Sequence, residues 1–413
     1  MRPPSNNASS KSKALVEKIL NKIEGLTKPR KYFMLSIIIL YLSMRGRYTF
    51  KGMERYGDKC EKSYRLHFEK KFDFLKFNVD MSKKYLSKTC IVVFDPSYLP
   101  KSGKHTPGKG KFWSGCLGKA VQGIEIGGLG VVDLKQNTAF SLESIQTPCP
   151  SDLKSEGKTL VDHYARVIIE RKDQLSELAR YLAVDGYFSK QSFVDQVLNN
   201  TDLQLISKLR KDANLSYLYK GPKRKGRGRP KKYDGKVDTK NIDKRRFKWH
   251  HQDEDVIIYQ ALVWSVFLKR LVNVAYVEFL NEGQPTSRYA LYYSTDLKLA
   301  GKRIYQYYKA RYQIEFLFRD AKQHTGLNHC QARSENKIHF HTNASLTAVG
   351  VAKAAHHVKR KETEKPFSIA DIKTSYFNEL MLNLFFSNFH VNPKLMKNKK
   401  AMKKLLDYGK IAS

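Results

Sequence analysis

Cys90-Ile91-Val92-Val93-Phe94-Asp95 is apolar at five successive positions and closes on an acid. A run without polar alternation is what a strand buried on both faces looks like. Tyr181-Leu182-Ala183-Val184-Asp185 repeats the pattern downstream. Between the two lie strand signals over 120–134, broken by Gly127, Gly128 and Gly130, and over 138–145. A long helix over about 160–179 precedes the second run. A helix that Ser189 can cap and a strand over 203–209 follow it. Three strands, helix, strand, helix, strand predicts an α/β layer architecture.

Working outward, residues 18–77 carry a helical pattern. A short helix over 49–57 closes on Gly57. A second helix over 61–74 shows Lys62, Arg65, Lys70 and Lys71 on one face. That outline is a helix-turn-helix, whose second helix enters the major groove, so 1–88 is expected to be a helical DNA-binding domain; a plain helical bundle with a basic face is the alternative. Residues 32–44 are apolar but short of the ~20 needed to span a bilayer. They read as a core helix, and no membrane partner is expected.

On the other side, residues 220–232 hold eight basic residues and no acid, and their Gly and Pro forbid a regular element. Lys223, Arg224, Lys225, Arg227 and Arg229 are expected to track phosphates or lie in a minor groove. Residues 219–297 read as a β-rich insertion. From Lys302 the chain is mostly helical, and 346–413 form a helical C-terminal region. There Tyr376, Phe377, Leu380, Met381, Leu384, Phe385 and Phe389 recur at helical spacing, either for dimerisation or for packing on the chain's own body.

Lys plus Arg is 76 and Asp plus Glu 39, a net charge of +37, with 41% hydrophobic and 12% aromatic residues. The chain can bury a large core, so wholesale disorder is excluded. Self-repulsion at +37 calls for a polyanion, and nucleic acid is the first choice. Five cysteines with no CxxC spacing support neither a zinc module nor a disulfide framework, and suit a reducing cytoplasm. The histidines are scattered, with no HExxH. Lys101-Ser-Gly-Lys104-His105 is a basic loop shortly after Asp95, without the spacing of a phosphate-binding Walker loop.

Asp95 and Asp185 each end a buried strand. Carboxylates at strand C-termini of an α/β sheet point into the crevice where ligands bind. Two of them on neighbouring strands can hold divalent ions for in-line phosphoryl displacement. Turn-forming aspartates, in Asp95-Pro96 and Asp185-Gly186, are the alternative. A third acid lies in a helix over 302–323, where Tyr308, Arg311, Glu315 and Lys322 share one stripe. Ala310, Ile314, Leu317 and Ala321 make a second, packing stripe. Glu315 can thus reach the aspartates while Arg311 and Lys322 meet a phosphate; an ordinary amphipathic helix with an Arg311–Glu315 ion pair has the same pattern.

Tyr308-x2-Arg311-x3-Glu315-x6-Lys322, after two strand-end aspartates in the same order, resembles the signature of the DDE transposases of the insertion-sequence-four family. The resemblance implies a ribonuclease-H-like catalytic domain over 89–345, interrupted by the insertion 219–297. It implies a metal-binding catalytic triad of Asp95, Asp185 and Glu315, with Tyr308, Arg311 and Lys322 on DNA phosphates near the scissile bond. Tyr289 stands where relatives carry a base-stacking Trp, and Lys208 and Arg210 are further candidates for phosphate contact or for a solvated strand end. The cofactor would be Mg²⁺, two ions per active site with Mn²⁺ able to substitute, because an all-carboxylate site suits a hard cation. The activity implied is that of a metal-dependent DNA endonuclease and strand transferase, a cut-and-paste transposase in the bacterial cytoplasm. Its partners would be double-stranded DNA, as element ends and target, and a second transposase subunit. A ribonuclease-H-like nuclease without strand transfer and a catalytically inactive, transposase-derived DNA-binding protein are the competing readings.

Overall fold

The computed structural model describes residues 8–222, 230–281, 284–360, 366–390 and 396–411. Lys223, Arg224, Lys225, Arg227 and Arg229 of the basic run lie outside the described residues.

Five helices come first: α1 (Ser10–Leu20), α2 (Lys28–Ser43), α3 (Phe50–Tyr56), α4 (Glu61–Glu69) and α5 (Phe74–Tyr85). Four strands follow: β1 (Cys90–Pro100), β2 (Gly110–Ser114), β3 (Lys119–Asp133) and β4 (Thr138–Gln146). Next come α6 (Pro150–Ser155), α7 (Leu160–Ile169), α8 (Lys172–Ser176), β5 (Tyr181–Val184), α9 (Gln191–Asn200) and β6 (Gln204–Leu209). Six more strands are β7 (Leu215–Leu218), β8 (Tyr233–Lys236), β9 (Lys248–Gln252), β10 (Val256–Ser265), β11 (Arg270–Asn281) and β12 (Gln284–Ser294). The chain closes with α10 (Gly301–Ala310), α11 (Gln313–His324), α12 (Glu335–Arg360), α13 (Ile369–Phe389) and α14 (Met396–Asp407).

Among the described residues the twelve strands join one open mixed sheet in the order β2-β3-β1-β5-β6-β12-β11-β10-β7-β8, with β4 on β3 and β9 on β10. β1, β5 and β6 run parallel; the other pairings are antiparallel. This mixed α/β body, with helices at both termini, is consistent with a ribonuclease-H-like transposase domain. The strands between 215 and 294 extend the same sheet, because β12 returns to pair with β6.

Ile91 to Phe94 have no exposed surface, as expected for a strand covered on both faces. α12 covers one side, packing on β4 and on α2, α4 and α5. Asn343 of α12 bonds both the N–H and the C=O of Ser144 at 2.8 and 2.9 Å, which satisfies backbone groups that edge strand β4 would otherwise leave open. α2 is buried along most of its length, with Thr27 capping it by accepting the Arg30 N–H. Among the described residues no helix is long and apolar enough to cross a membrane.

Three helices differ from the sequence pattern. The second of the N-terminal basic pair ends at Glu69 rather than running to Phe74. Arg30 takes the carbonyls of His67 and Lys70 at 2.9 and 2.8 Å, and Asp73 caps a new helix through the Lys76 N–H. The helix expected over 160–179 breaks after Ile169, where Arg171 turns inward to a half-buried ion pair with Glu143 at 2.6 Å. The helix expected over 302–323 divides into α10 and α11 at Arg311 and Tyr312. Both residues keep right-handed dihedrals, but the bonds tighten to the third residue back: Arg311 N–H to Tyr308 at 3.2 Å, Glu315 N–H to Tyr312 at 3.1 Å.

Candidate functional site

The two aspartates are neighbours, but only Asp185 ends its strand: β1 runs on through Asp95 to Pro100, because β3 pairs with it all the way. β1 and β5 run parallel with Phe94 opposite Val184, so Asp95 and Asp185 each follow the last residue paired between these two strands, which lie about 4.8 Å apart. Asp185 also starts a single helical turn, Gly186–Phe188, by accepting the Tyr187 N–H at 3.2 Å. Ser189 does not cap α9, whose N-cap is Lys190. Its hydroxyl bonds the Lys208 carbonyl, and Ser207 donates to the Asp185 carbonyl at 2.9 Å, tying the turn to β6.

Glu315 arrives from α11. The stripe Ala310, Ile314, Leu317 and Ala321 is buried and seats α10 and α11 on the sheet, and Phe318 packs over β3 where Gly128 lies opposite Asp95. Arg311 bridges the acids: one guanidinium nitrogen reaches Asp95 Oδ1 and another Glu315 Oε1, each at 3.2 Å. Its side chain is 5% exposed, and its Nε is buried with no partner among the described residues. Arg311 also lies over the rings of Tyr312 at 4.9 Å and Tyr308 at 5.6 Å. Tyr308 is buried against Tyr292, ring centroids 4.6 Å apart.

The electrostatics reflect this crowding. Burial pushes the Asp95 carboxyl up to about 7; Arg311 opposes the shift, while the charges of Glu315, Asp185 and Glu125 add to it. Burial raises Tyr308 to about 12, with Asp185 contributing to the rise. Lys322 is pulled below the usual lysine range by burial and donates to Ser97 Oγ at 2.9 Å and to the Tyr98 carbonyl at 3.1 Å.

The sequence-expected residues therefore divide. Asp95, Asp185, Tyr308, Arg311 and Glu315 meet in one cluster, and Lys322 lies beside it on the continuation of β1. Lys208 is exposed on β6, with its carbonyl 3.2 Å from the position a Cβ would take on Gly186. Arg210 is largely exposed and pairs with Asp212 at 3.0 Å. Tyr289 stacks on Tyr276, centroids 5.2 Å apart, with the Lys211 ammonium over its ring, and no described contact ties it to the acids. Ser97, Ser207, Tyr292 and Glu125 support or perturb the cluster, and no local pattern marks them. Gly128 did leave a trace, as an interruption of the β3 strand signal.

Three carboxylates are the donors a hard divalent cation takes, and burial together with the neighbouring acids disfavours the charged Asp95 carboxylate in a way such a cation would offset. The donor types suit such a cation; their present spacing does not. In the present arrangement Arg311 holds two of the three acids, and no group of three acid, His or Cys side chains among the described residues is close enough to bind an ion.

Comparison with curated proteins finds no match. A family model described as the transposase DDE domain matches residues 152–349. That span contains Asp185, Glu315 and the whole Tyr308-to-Lys322 signature and begins after Asp95. Together with the mixed sheet that places these residues side by side, the match supports a DDE transposase.

Proposed function

We propose that the chain is a cut-and-paste DNA transposase of the insertion-sequence-four type. It binds the terminal inverted repeats of a mobile element, cleaves there with divalent metal, and transfers the freed strands to target DNA, with two chains pairing two ends. The observation that supports this reading is the parallel register of Phe94 with Val184, which leaves Asp95 and Asp185 adjacent on neighbouring strands, with Arg311 joining Asp95 to Glu315.

Asp95, Asp185 and Glu315 would hold Mg²⁺ or Mn²⁺. A bound cation would supply Lewis-acid chemistry there, activation of the attacking water or 3′-hydroxyl and stabilisation of charge on the phosphoryl oxygens. The chain's own residues position the phosphate. Arg311 already faces anions on two sides, and its free Nε gives it a donor to spare. An incoming phosphate exchanges one charge-assisted pair for another, at little net cost to the buried guanidinium. Tyr308 buttresses Arg311 from beneath, and Lys322, fixed by Ser97 and Tyr98, sets a second positive charge along β1. Lys208 extends the basic rim next to Asp185.

The test is cleavage of the chain's flanking element DNA with Mg²⁺. Asp95→Ala, Asp185→Ala and Glu315→Ala should each abolish cutting while leaving DNA binding intact, since carboxylates repel phosphate. Identical products from wild type and Asp185→Ala would sink the reading.

A further inference from the structure

Two basic features of the sequence have no role in the acid cluster: the loop Lys101–His105 and the exposed face of α4. The fold brings them together. A cleft of about 900 Å³ opens between the loop that follows β1, the segment 328–334 leading into α12, and the N-terminal helices. Its lining includes Arg47, Arg65, Lys101, Lys104, Arg333 and Lys337, and no acid among the described residues. Arg65 and Lys337 have partners just outside, Glu61 at 2.6 Å and Glu69 at 2.7 Å. Arg47, Lys101, Lys104 and Arg333 have no carboxylate partner among the described residues. Lys101 instead donates to the Cys330 carbonyl, which aims its ammonium along the cleft wall.

Cations converging on a concave surface repel one another, and low-dielectric walls focus their field. Exposed pairs such as Arg65–Glu61 are weak and exchange readily for phosphate. The cleft is also continuous with the acid cluster through β1. Asp95 belongs to the cluster, Ser97 and Tyr98 hold Lys322, and Lys101 begins the cleft. From Asp95 to Lys101 is six residues of extended chain, roughly 20 Å at about 3.3 Å each. That is the axial length of about six base pairs.

We infer that this cleft is a seat for the sugar-phosphate backbone of duplex DNA, gripping it about six base pairs from the phosphate presented to Asp95, Asp185 and Glu315. The inference rests on the transposase reading for its register, and on the cleft's own charge for its ligand.

The test uses the full chain and a short fluorescein-labelled duplex of arbitrary sequence, with binding followed by anisotropy over a series of KCl concentrations. Removing three phosphate contacts, in Arg47→Gln/Lys104→Gln/Arg333→Gln, should flatten the log–log salt slope by about 2.7, at ~0.9 per contact. A control that removes equal charge outside the cleft, Lys22→Gln/Lys135→Gln/Lys172→Gln, should change it little. Lys104→Glu alone, in an exposed loop where folding is not at stake, should flatten the slope by about one contact. Equal slopes for the cleft and control triples, an unaltered slope for Lys104→Glu, or no duplex binding by wild type each overturns the inference. Cleft-dependent binding without cleavage of element DNA would retire the transposase reading and leave the cleft standing; cleavage with unchanged slopes would do the reverse.

Discussion

His341 is buried between two groups that fix its proton. Its Nε2 donates to the Gly326 carbonyl and its Nδ1 accepts from the Tyr41 hydroxyl, both at 2.8 Å. This neutral tautomer has no room for a second proton, and burial pushes the imidazole from 6.5 down to about 3. Between those values the unfolded chain binds a proton that the folded chain refuses. Stability therefore falls as pH drops from 6.5 toward 3, at up to ~1.4 kcal/mol per pH unit. Gln at this position can make both hydrogen bonds without titrating. Urea unfolding at pH 7 and pH 5 should show wild type losing roughly 2 kcal/mol more than His341→Gln; equal losses would show that His341 does not govern the acid limb.

At the scale of elements, β3 is shaped to admit α11. Glycine weakens a strand unless a neighbour needs the space. A Cβ on Gly128 would lie 2.3 Å from Phe318 Cζ, and one on Gly127 would lie 2.8 Å from Phe94 Cζ. Both rings are buried, so neither can swing away cheaply. Gly128→Ala should cost about 1–3 kcal/mol by overpacking, seen as a lower urea midpoint at unchanged slope. Because Phe318 shares α11 with Glu315, cleavage should fall by more than the folded fraction does. A variant with wild-type midpoint and wild-type cleavage would remove Gly128 from the account of how α11 is seated. The break between α10 and α11 belongs to the same adjustment, since the tightened turn carries Arg311 between Asp95 and Glu315.

For the molecule as a whole, a charge of +37 resists self-association across a Debye length of ~8 Å at physiological salt. Neutralisation by DNA removes that barrier. The apolar face anticipated in the C-terminal region divides in the structure. Tyr376 is buried in the chain's own core, while Met381, Leu384, Phe385 and Phe389 are 48–66% exposed on the far half of α13. Light scattering should find a monomer without DNA and two chains on two ends with it. Two ends bound but never paired, under conditions that support cutting, would argue against a shared assembly. Met381→Ser/Phe385→Ser should then weaken pairing while leaving single-end binding unchanged.

The buried apolar runs, the acid that closes β5, and the spacing of Tyr308, Arg311, Glu315 and Lys322 could all be read in the chain, because each is written in a few residues of strand or a few turns of helix; that β1 runs on past Asp95 to Pro100 could not, because its pairing with β3 decides it. The α/β order and the pull toward a polyanion were equally legible, from periodicity and from summed charge. Helix ends were not, because long-range partners cut them: Arg30 stops α4, and Arg171 leaves α7 to meet Glu143 on β4. Nor did any local signal show that β12 would return to β6 and make the 219–297 segment one sheet with the rest. The cleft is the clearest case. Arg47, Lys104 and Arg333 are far apart along the chain and unremarkable one by one, and they became a single field only when β1 and α12 brought their loops face to face. Local chemistry is carried by neighbours in sequence, but an electrostatic site is a sum over neighbours in space, and packing chooses those.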